Sequence, residues 1–202
     1  MLAHVERSVY NAHMPSAKSS SDTLAPRERI LVAAHALFYQ DGIRATGVDK
    51  IIDQASVSKV TFYRQYPSKD ELIRAYLDYR HGIWMSWFEM SLTQALHAGA
   101  AATLALSTTL RTWFSRADFR GCAFLNAAAE LGSSNPEILK VVRQHKQEMA
   151  AVLDSLLASD GRPVGHALSL VIDGAIVHAQ MGQVLDDVMD AFNVTAAAML
   201  QR

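Results

Sequence analysis

Apolar residues in this chain recur mostly three and four positions apart, the spacing that places them on one face of an α-helix. A first such pattern covers residues 27–41 and a second covers residues 48–55. A third helix is predicted from Ser58 to Tyr66, because Ser58 can cap its start and Pro67 ends it. No segment alternates apolar and polar residues as a half-buried strand does. The pattern therefore predicts an all-α fold.

The rest of the chain predicts further helices separated by breaks that contain glycine or proline. A helix beginning at Lys69 is predicted to end near Tyr79, and His81 with Gly82 would form the turn after it. The other predicted helices cover residues 83–96, 102–115, 122–132, 135–158, 164–181 and 185–199. The total is about nine or ten helices.

Local capping signals surround the second and third predicted helices. Thr46 followed by Asp49 resembles a capping box, and Ser68 followed by Glu71 forms another at the start of the fourth helix. Within the third helix, the 3.6-residue period turns Phe62 towards the core. The same period gathers four residues on the outward side, namely Lys59, Val60, Tyr63 and Arg64.

The predicted helix at residues 164–181 is apolar on nearly every side. A helix of that kind must be buried on every side. Near the end of a chain of 202 residues, we expect one face to pack on the protein's own core and the other on a second copy of the chain.

Composition and charge narrow the class of protein. The chain is 50% apolar and 19% charged, with a net charge of -1, so it is not a uniformly basic nucleic-acid binder. The positive charge is concentrated instead, because residues 55–69 contain Lys59, Arg64 and Lys69 and no acidic residue. Basic groups therefore cluster where the short helices meet.

The sequence also indicates where the protein works. Cys122 is the only cysteine, so an internal disulfide is impossible, and a cytoplasmic location is expected. No run of 18 apolar residues is present, so a spanning helix is not expected. Residues 1–26 are rich in serine near their end and predict a flexible tail.

The segment from residue 42 to residue 72 resembles the DNA-binding domain of the TetR/AcrR family of transcriptional repressors. The matching positions are Thr46, Ile51, Ala55, Val57-Ser58, Thr61-x-Tyr63 and Ser68-Lys69-Asp70. Two departures occur: Gly47 replaces the usual hydroxyl residue, and Ile52 replaces the usual alanine. Neither departure lies on the outward side of the third helix.

The resemblance implies a three-helix helix-turn-helix domain at residues 27–72 and a larger helical domain for effector binding and dimerisation at residues 73–202. It implies a ligand-responsive regulator, most often a repressor, that binds a palindromic operator as a homodimer and is released by a small hydrophobic effector. The helix after Pro67 would couple the two domains. Neither a cofactor nor a metal ion is expected, and no nucleophile or phosphate-loop motif indicates an enzyme.

Residue chemistry and the resemblance together select the candidate DNA contacts. Cationic and hydroxyl groups can donate to phosphates or base edges, and Val60 can contact a thymine methyl group. The candidate residues are Arg44, Thr46, Gly47, Ser58, Lys59, Val60, Thr61, Tyr63, Arg64, Gln65 and Lys69.

Large aromatic and isolated polar residues of the second half are the candidates for an effector pocket. Ordinary core packing explains the aromatic ones at least as well, and a hydrogen-bonded buried polar group is the alternative for His178 and Asn126. The candidates are Trp84, Trp87, Phe88, Trp113, Phe114, Phe124, Asn126, His178 and Met181. The competing hypothesis is a helical ligand-binding or partner-docking protein that does not bind DNA. Salt-dependent DNA binding distinguishes the two.

Overall fold

The structure, a computed structural model, describes residues 24–158 and 162–200. Every regular element in these ranges is a helix, which confirms the all-α prediction. The tail predicted at residues 1–26 and the chain break predicted around Asp160 and Gly161 lie largely outside the described residues. The helices are α1 (Pro26–Asp41), α2 (Val48–Ala55), α3 (Lys59–Gln65), α4 (Lys69–His97), α5 (Ala102–Phe114), α6 (Ala123–Leu131), α7 (Pro136–Leu157), α8 (Gly165–Gln180) and α9 (Leu185–Leu200).

Helix α4 corrects one prediction. The turn expected at His81 and Gly82 is absent, and a single helix of 29 residues continues through both positions. One glycine costs a helix only about 1 kcal/mol relative to alanine, so it does not end a helix by itself. The residues on either side hold the helix in place, since Arg80 and Trp84 are both buried.

The chain forms two compact units. The first combines the described part of Met1–Trp84 with Asn126–Val141, and the second combines Met85–Leu125 with the described part of Val142–Arg202. The division therefore falls within α4, α6 and α7. A segment from beyond residue 125 is thus part of the same unit as α1, α2 and α3.

In the first unit, α1 packs against α2 and α3. Phe62 of α3 is fully buried, as its position in the helical period predicts, and Ile30, Ile51 and Leu72 are buried around the same core. A polar cluster also lies inside this unit: Nη1 of Arg80 is 3.4 Å from Nε2 of His35. The two side chains tie α4 to α1.

In the second unit, α9 packs against α8 and α5. Helix α8 begins where Asp154 accepts hydrogen bonds from the amides of Val164 and Gly165, at 2.6 and 2.7 Å. At Gly165 the backbones of α7 and α8 are very close, because a Cβ atom there would lie 2.0 Å from the carbonyl oxygen of Ala150. Only glycine permits this approach.

Within one chain, α8 buries only part of its apolar surface. Leu168 and Ile172 are buried, whereas Leu170 is 75% exposed and Val177 is 42% exposed. The adjoining loop adds an exposed valine, Val184. One chain therefore leaves a helix face uncovered that the sequence pattern expects to be buried. In the part of the chain that the structure describes, no helix has the length and apolarity needed to cross a bilayer.

Candidate nucleic-acid interface

Helix α3 projects four chemically distinct side chains from the first unit. Val60 is 77% exposed, Tyr63 is 44% exposed, and Lys59 and Arg64 are also exposed. The buried ring of Phe62 lies behind them and meets the Tyr63 ring edge-on, with 5.2 Å between the centroids. The outward side predicted from the helical period is confirmed.

Ser58 caps α3 as the sequence predicts. Its Oγ accepts a hydrogen bond from the backbone amide of Thr61 at 3.1 Å and lies 2.9 Å from Oγ1 of Thr61. The cap fixes the first turn of a helix of only seven residues, which is too short to be stable alone in water. Both hydroxyl groups are thereby held at the end of α3 that carries Lys59 and Val60.

Two arginines at the start of α1 hold the other ends of α2 and α3. Arg27 donates to the carbonyl oxygen of Gln65 at 2.7 Å, and Arg29 donates to that of Ser56 at 3.2 Å. These carbonyl groups end their helices, where a cation is favourable to the helix dipole. Ser56 has a φ of 52°, so the turn between the two helices uses a left-handed residue that is not glycine.

Arg27 also packs over the ring of Tyr66, with its guanidinium carbon 4.4 Å from the ring centroid. Burial raises the pKa of the Tyr66 hydroxyl, and the nearby Arg27 charge partly opposes that rise. The hydroxyl donates to the Arg27 carbonyl oxygen at 3.4 Å. Gln65 therefore contributes its backbone to this junction, whereas its half-buried side chain remains a candidate DNA contact.

Thr46 corrects two predictions. The N-cap of α2 is Gly47, which makes no side-chain cap, so the predicted Thr46 capping box is wrong. The Thr46 side chain is fully buried and donates to the carbonyl oxygen of Gly42 at 2.7 Å. Because the hydroxyl is buried and bonded to the end of α1, this side chain cannot reach DNA. Gly47 itself is exposed and leaves the first amides of α2 without a side-chain acceptor.

Lys69 and Arg44 differ in how far they are buried. Nζ of Lys69 donates to the carbonyl oxygen of Ile43 at 2.6 Å, and the side chain is half-buried. Desolvation lowers the pKa of Lys69, and the charges of Glu130 and Asp70 partly restore it. An ammonium group has three donors, so one bond to Ile43 leaves others for a phosphate. Arg44 is exposed.

An acidic residue stands beside the outward side of α3, which the sequence did not indicate. Oδ1 of Asp49, in α2, lies 3.3 Å from Nζ of Lys59, and both side chains are largely exposed. The segment of residues 55–69 contains no acidic residue, but folding brings Asp49 next to Lys59, ten positions further along the chain. Spatial neighbours on adjacent helices are not visible in a linear charge count.

The candidate effector residues do not share one environment. The six aromatic candidates are buried, whereas His178 is exposed and Met181 is 61% exposed within this chain. His178 pairs through Nδ1 with the side-chain oxygen of Gln183 at 2.7 Å. Neither residue lies inside an enclosed cavity of this chain, because a single chain leaves both at its surface. Their role in effector binding stays a prediction.

Three aromatic contacts of the second unit are not predicted by the sequence. Trp113 and Phe114 both pack against Phe119, with centroid distances of 5.3 and 5.2 Å. Phe124 stacks on the buried ring of His145 at 3.6 Å with an interplanar angle of 8°. Trp84 and the half-buried Asn126 belong to the first unit, whereas Trp113, Phe114 and Phe124 belong to the second.

Comparison with known proteins gives consistent results. Residues 30–76 match the family model of bacterial regulatory proteins of the TetR family. A solved TetR-family transcriptional regulator from Streptomyces coelicolor is 30% identical, and the match covers 87% of this chain and 94% of that one with a TM-score of 0.71. A TetR transcriptional regulator from Chloroflexus aurantiacus is 25% identical, with coverage of 88% and 95% and a TM-score of 0.70. The transcriptional activator FasR of Mycolicibacterium smegmatis is 44% identical over 55 residues, which are 27% of this chain and 25% of FasR.

Proposed function

The chain belongs to the TetR family of transcriptional regulators, and from this premise we propose that it is a repressor. In this proposal it binds a palindromic operator in the cytoplasm as a homodimer, and a small hydrophobic effector releases it. DNA binding is assigned to residues 27–72, and effector binding and dimerisation to residues 73–202. The protein acts as a regulator and not as an enzyme.

The exposed side of α3 carries this proposal. A cation, a branched apolar side chain, a phenol and a guanidinium group project together from a capped helix whose far end is held by Arg27. These groups match what the major groove offers, namely guanine acceptors, thymine methyl groups and flanking phosphates. The predicted contacts at Ser58, Thr61 and Gln65 lie beside this side of the helix and suit the phosphate backbone.

Substitutions on α3 test DNA binding. We expect Tyr63→Ala and Lys59→Ala each to weaken binding to a duplex from upstream of the chain's own gene by about tenfold, the order of one lost contact of 1–3 kcal/mol. Fluorescence anisotropy at several salt concentrations measures this, and Lys59→Ala should lower the salt slope by about one. Lys140→Ala is the matched control, because Lys140 is an exposed lysine of α7. Wild-type affinity in both α3 variants would refute the assignment.

The uncovered face of α8 supports the homodimer. A palindromic site repeats after about one helical turn of DNA, so reading both halves requires two copies related by a twofold axis. Leu170, Val177 and Met181 supply exposed apolar surface on or beside the last two helices. A second copy of the same face would remove that surface from water.

The effector and its coupling follow from the second half of the chain. The buried aromatic side chains, Trp87 and Trp113 among them, suit a hydrophobic ligand. Helix α4 begins four residues after α3 ends, so a shift of α4 moves α3 directly. Release requires that the ligand bind the released state more tightly than the DNA-bound state. A screen of hydrophobic ligands by thermal shift, repeated with operator present, tests both steps.

The direction of regulation is tested separately. FasR, which is 44% identical over 55 residues, is named an activator, so likeness to this family does not set the direction of regulation. A reporter driven by the bound promoter should be expressed more strongly when the gene for this protein is deleted. Lower expression after deletion would replace repression with activation and leave the DNA-binding assignment intact.

A further inference from the structure

The loop between α1 and α2 is held by a carboxylate from a distant part of the chain. Oε2 of Glu130, in α6, accepts a hydrogen bond from the backbone amide of Arg44 at 2.7 Å, across 86 positions of sequence. At Gly42 a Cβ atom would lie 3.4 Å from both carboxylate oxygens of Glu130. Gly42 also has a φ of 91°, a conformation that favours glycine. The backbone of the loop therefore lies close to the Glu130 carboxylate.

Two further side chains hold the same loop. Lys69 binds the carbonyl oxygen of Ile43, and the charge of Glu130 favours the ammonium form of that lysine. The Arg44 guanidinium group reaches Oγ of Ser134 at 3.4 Å. Glu130 and Lys69 thus bind the two polar ends of one peptide group, because the Ile43 carbonyl and the Arg44 amide belong to the same peptide bond. A hydrogen bond between a carboxylate and a backbone amide is of the stronger, charge-assisted kind.

The loop at residues 42–44 lies next to candidate DNA contacts. It carries Arg44, an exposed candidate for a phosphate contact, and it leads directly into Gly47 and the uncapped first turn of α2. A free helix N-terminus next to an arginine suits the anionic DNA backbone. The orientation of both groups depends on how residues 42–44 are held.

We propose that Glu130 is a positioning residue for DNA binding, which holds the loop at residues 42–44 so that Arg44 and the start of α2 meet the DNA backbone together. This inference rests on the proposed function. Glu130 belongs to the segment Asn126–Val141 of the first unit, although the sequence alone would assign it to the effector half. It therefore makes the geometry of the DNA-binding surface depend on a second segment of the chain, in addition to α4.

A comparison of two glutamates tests the proposal. Glu137 lies on the same segment, is exposed and pairs with Lys140. Glu130→Ala and Glu137→Ala remove the same charge, but only the first releases the loop. On a duplex that the wild-type protein selects from a random pool, we expect Glu130→Ala to bind about tenfold more weakly than Glu137→Ala, as for one lost hydrogen bond to a charged group. We expect its salt slope to fall by about one, as for one lost phosphate contact.

A double-mutant cycle with Arg44→Ala separates positioning from general stability. If Glu130 acts through the loop that carries Arg44, the loss of affinity in the double variant should be smaller than the sum of the two single losses. Amide hydrogen exchange of the free protein should also be faster at Arg44 in Glu130→Ala than in Glu137→Ala. Additive losses in the cycle, or equal affinity of the two glutamate variants, would overturn the inference.

A milder variant covers a failure to fold. Glu130→Gln keeps an oxygen that can accept from the Arg44 amide but loses the charge, so we expect a smaller loss of about threefold with an unchanged thermal transition. If Glu130→Ala does not fold and Glu130→Gln binds as the wild type does, the inference is wrong. If the wild-type protein binds no duplex at all, the proposed function itself fails.

Discussion

The α1–α3 region and the α8–α9 region both consist of helices, but different kinds of contact hold the helices together. In the first, the short helices α2 and α3 are joined to α1 by hydrogen bonds from side chains to distant backbone groups, as in the contacts of Arg27 with Gln65 and of Arg29 with Ser56. In the second, longer helices pack through apolar residues such as Ile172, and one chain leaves much of their apolar surface exposed. One region is complete within the chain, and the other has apolar surface left to cover.

The difference shows where stability and binding surface come from in each region. Helices of seven and eight residues bury little, so α2 and α3 need polar contacts that fix their ends and leave the outward side of α3 free. Helices of 16 residues can bury one face on their own core and still present another. A polar surface held rigidly suits directional contacts, whereas an exposed apolar face suits burial against a similar face.

The largest expected effect comes from a charge on the exposed face of α8. Leu170→Glu would place a carboxylate in the proposed interface between copies, where burial of an unpaired charge is strongly unfavourable. We expect light scattering to show a monomer mass, and operator affinity to fall on the order of 100-fold or more, as when two linked sites act singly.

Leu104→Glu provides the control for that change. Leu104 of α5 is also exposed, at 59%, so the same substitution adds the same charge at an exposed leucine outside α8 and α9. A dimer mass that survives in Leu170→Glu, or one lost equally in Leu104→Glu, would mean that α8 is not the interface.

The next effect concerns an internal contact of the first region. Thr46→Val keeps the shape of the side chain but leaves the Gly42 carbonyl group without its buried donor, at a cost of about 1–3 kcal/mol. Denaturant unfolding should show that loss, while operator affinity stays unchanged below the unfolding range. Weaker DNA binding by folded Thr46→Val protein would instead show that this internal hydrogen bond positions the DNA-binding surface.

The smallest effect tests the acid beside the outward side of α3. Asp49→Asn removes the partner of Lys59, so we expect affinity for an unrelated duplex to rise about threefold at low salt, the order of one released cation. Asp78→Asn, at an exposed position of α4, is the matched charge control. An equal rise in both variants would show that only net charge matters and that the contact with Lys59 is incidental.

Sequence reasoning succeeded where the cause lies within about one helical turn. Ser58 caps α3, Pro67 lies just beyond its end, and Phe62 faces the core, because a serine cap, a proline and the helical period act locally. Gly82 shows the limit of such rules, since buried neighbours outweigh the weak helix preference of one glycine.

The contacts that complete the candidate site could not be predicted in this way. The Thr46 hydroxyl donates to a carbonyl group at the end of α1 and does not cap α2. Asp49 contacts Lys59 only because α2 and α3 are adjacent. Glu130 reaches Arg44 across 86 positions. Each depends on the tertiary arrangement, for which the chain carries no local signal.

The close approach at Gly165 has a consequence for the protein's history. Any Cβ atom there would lie 2.0 Å from the Ala150 carbonyl oxygen, so a mutation that replaces this glycine forces α7 and α8 apart. Such a mutation is expected to be removed by selection. Neighbouring His166 is exposed and carries no such restriction. Descendants of this chain should therefore diverge freely at residue 166 while residue 165 stays the same, and a relative with a larger residue there must have moved one of the two helices.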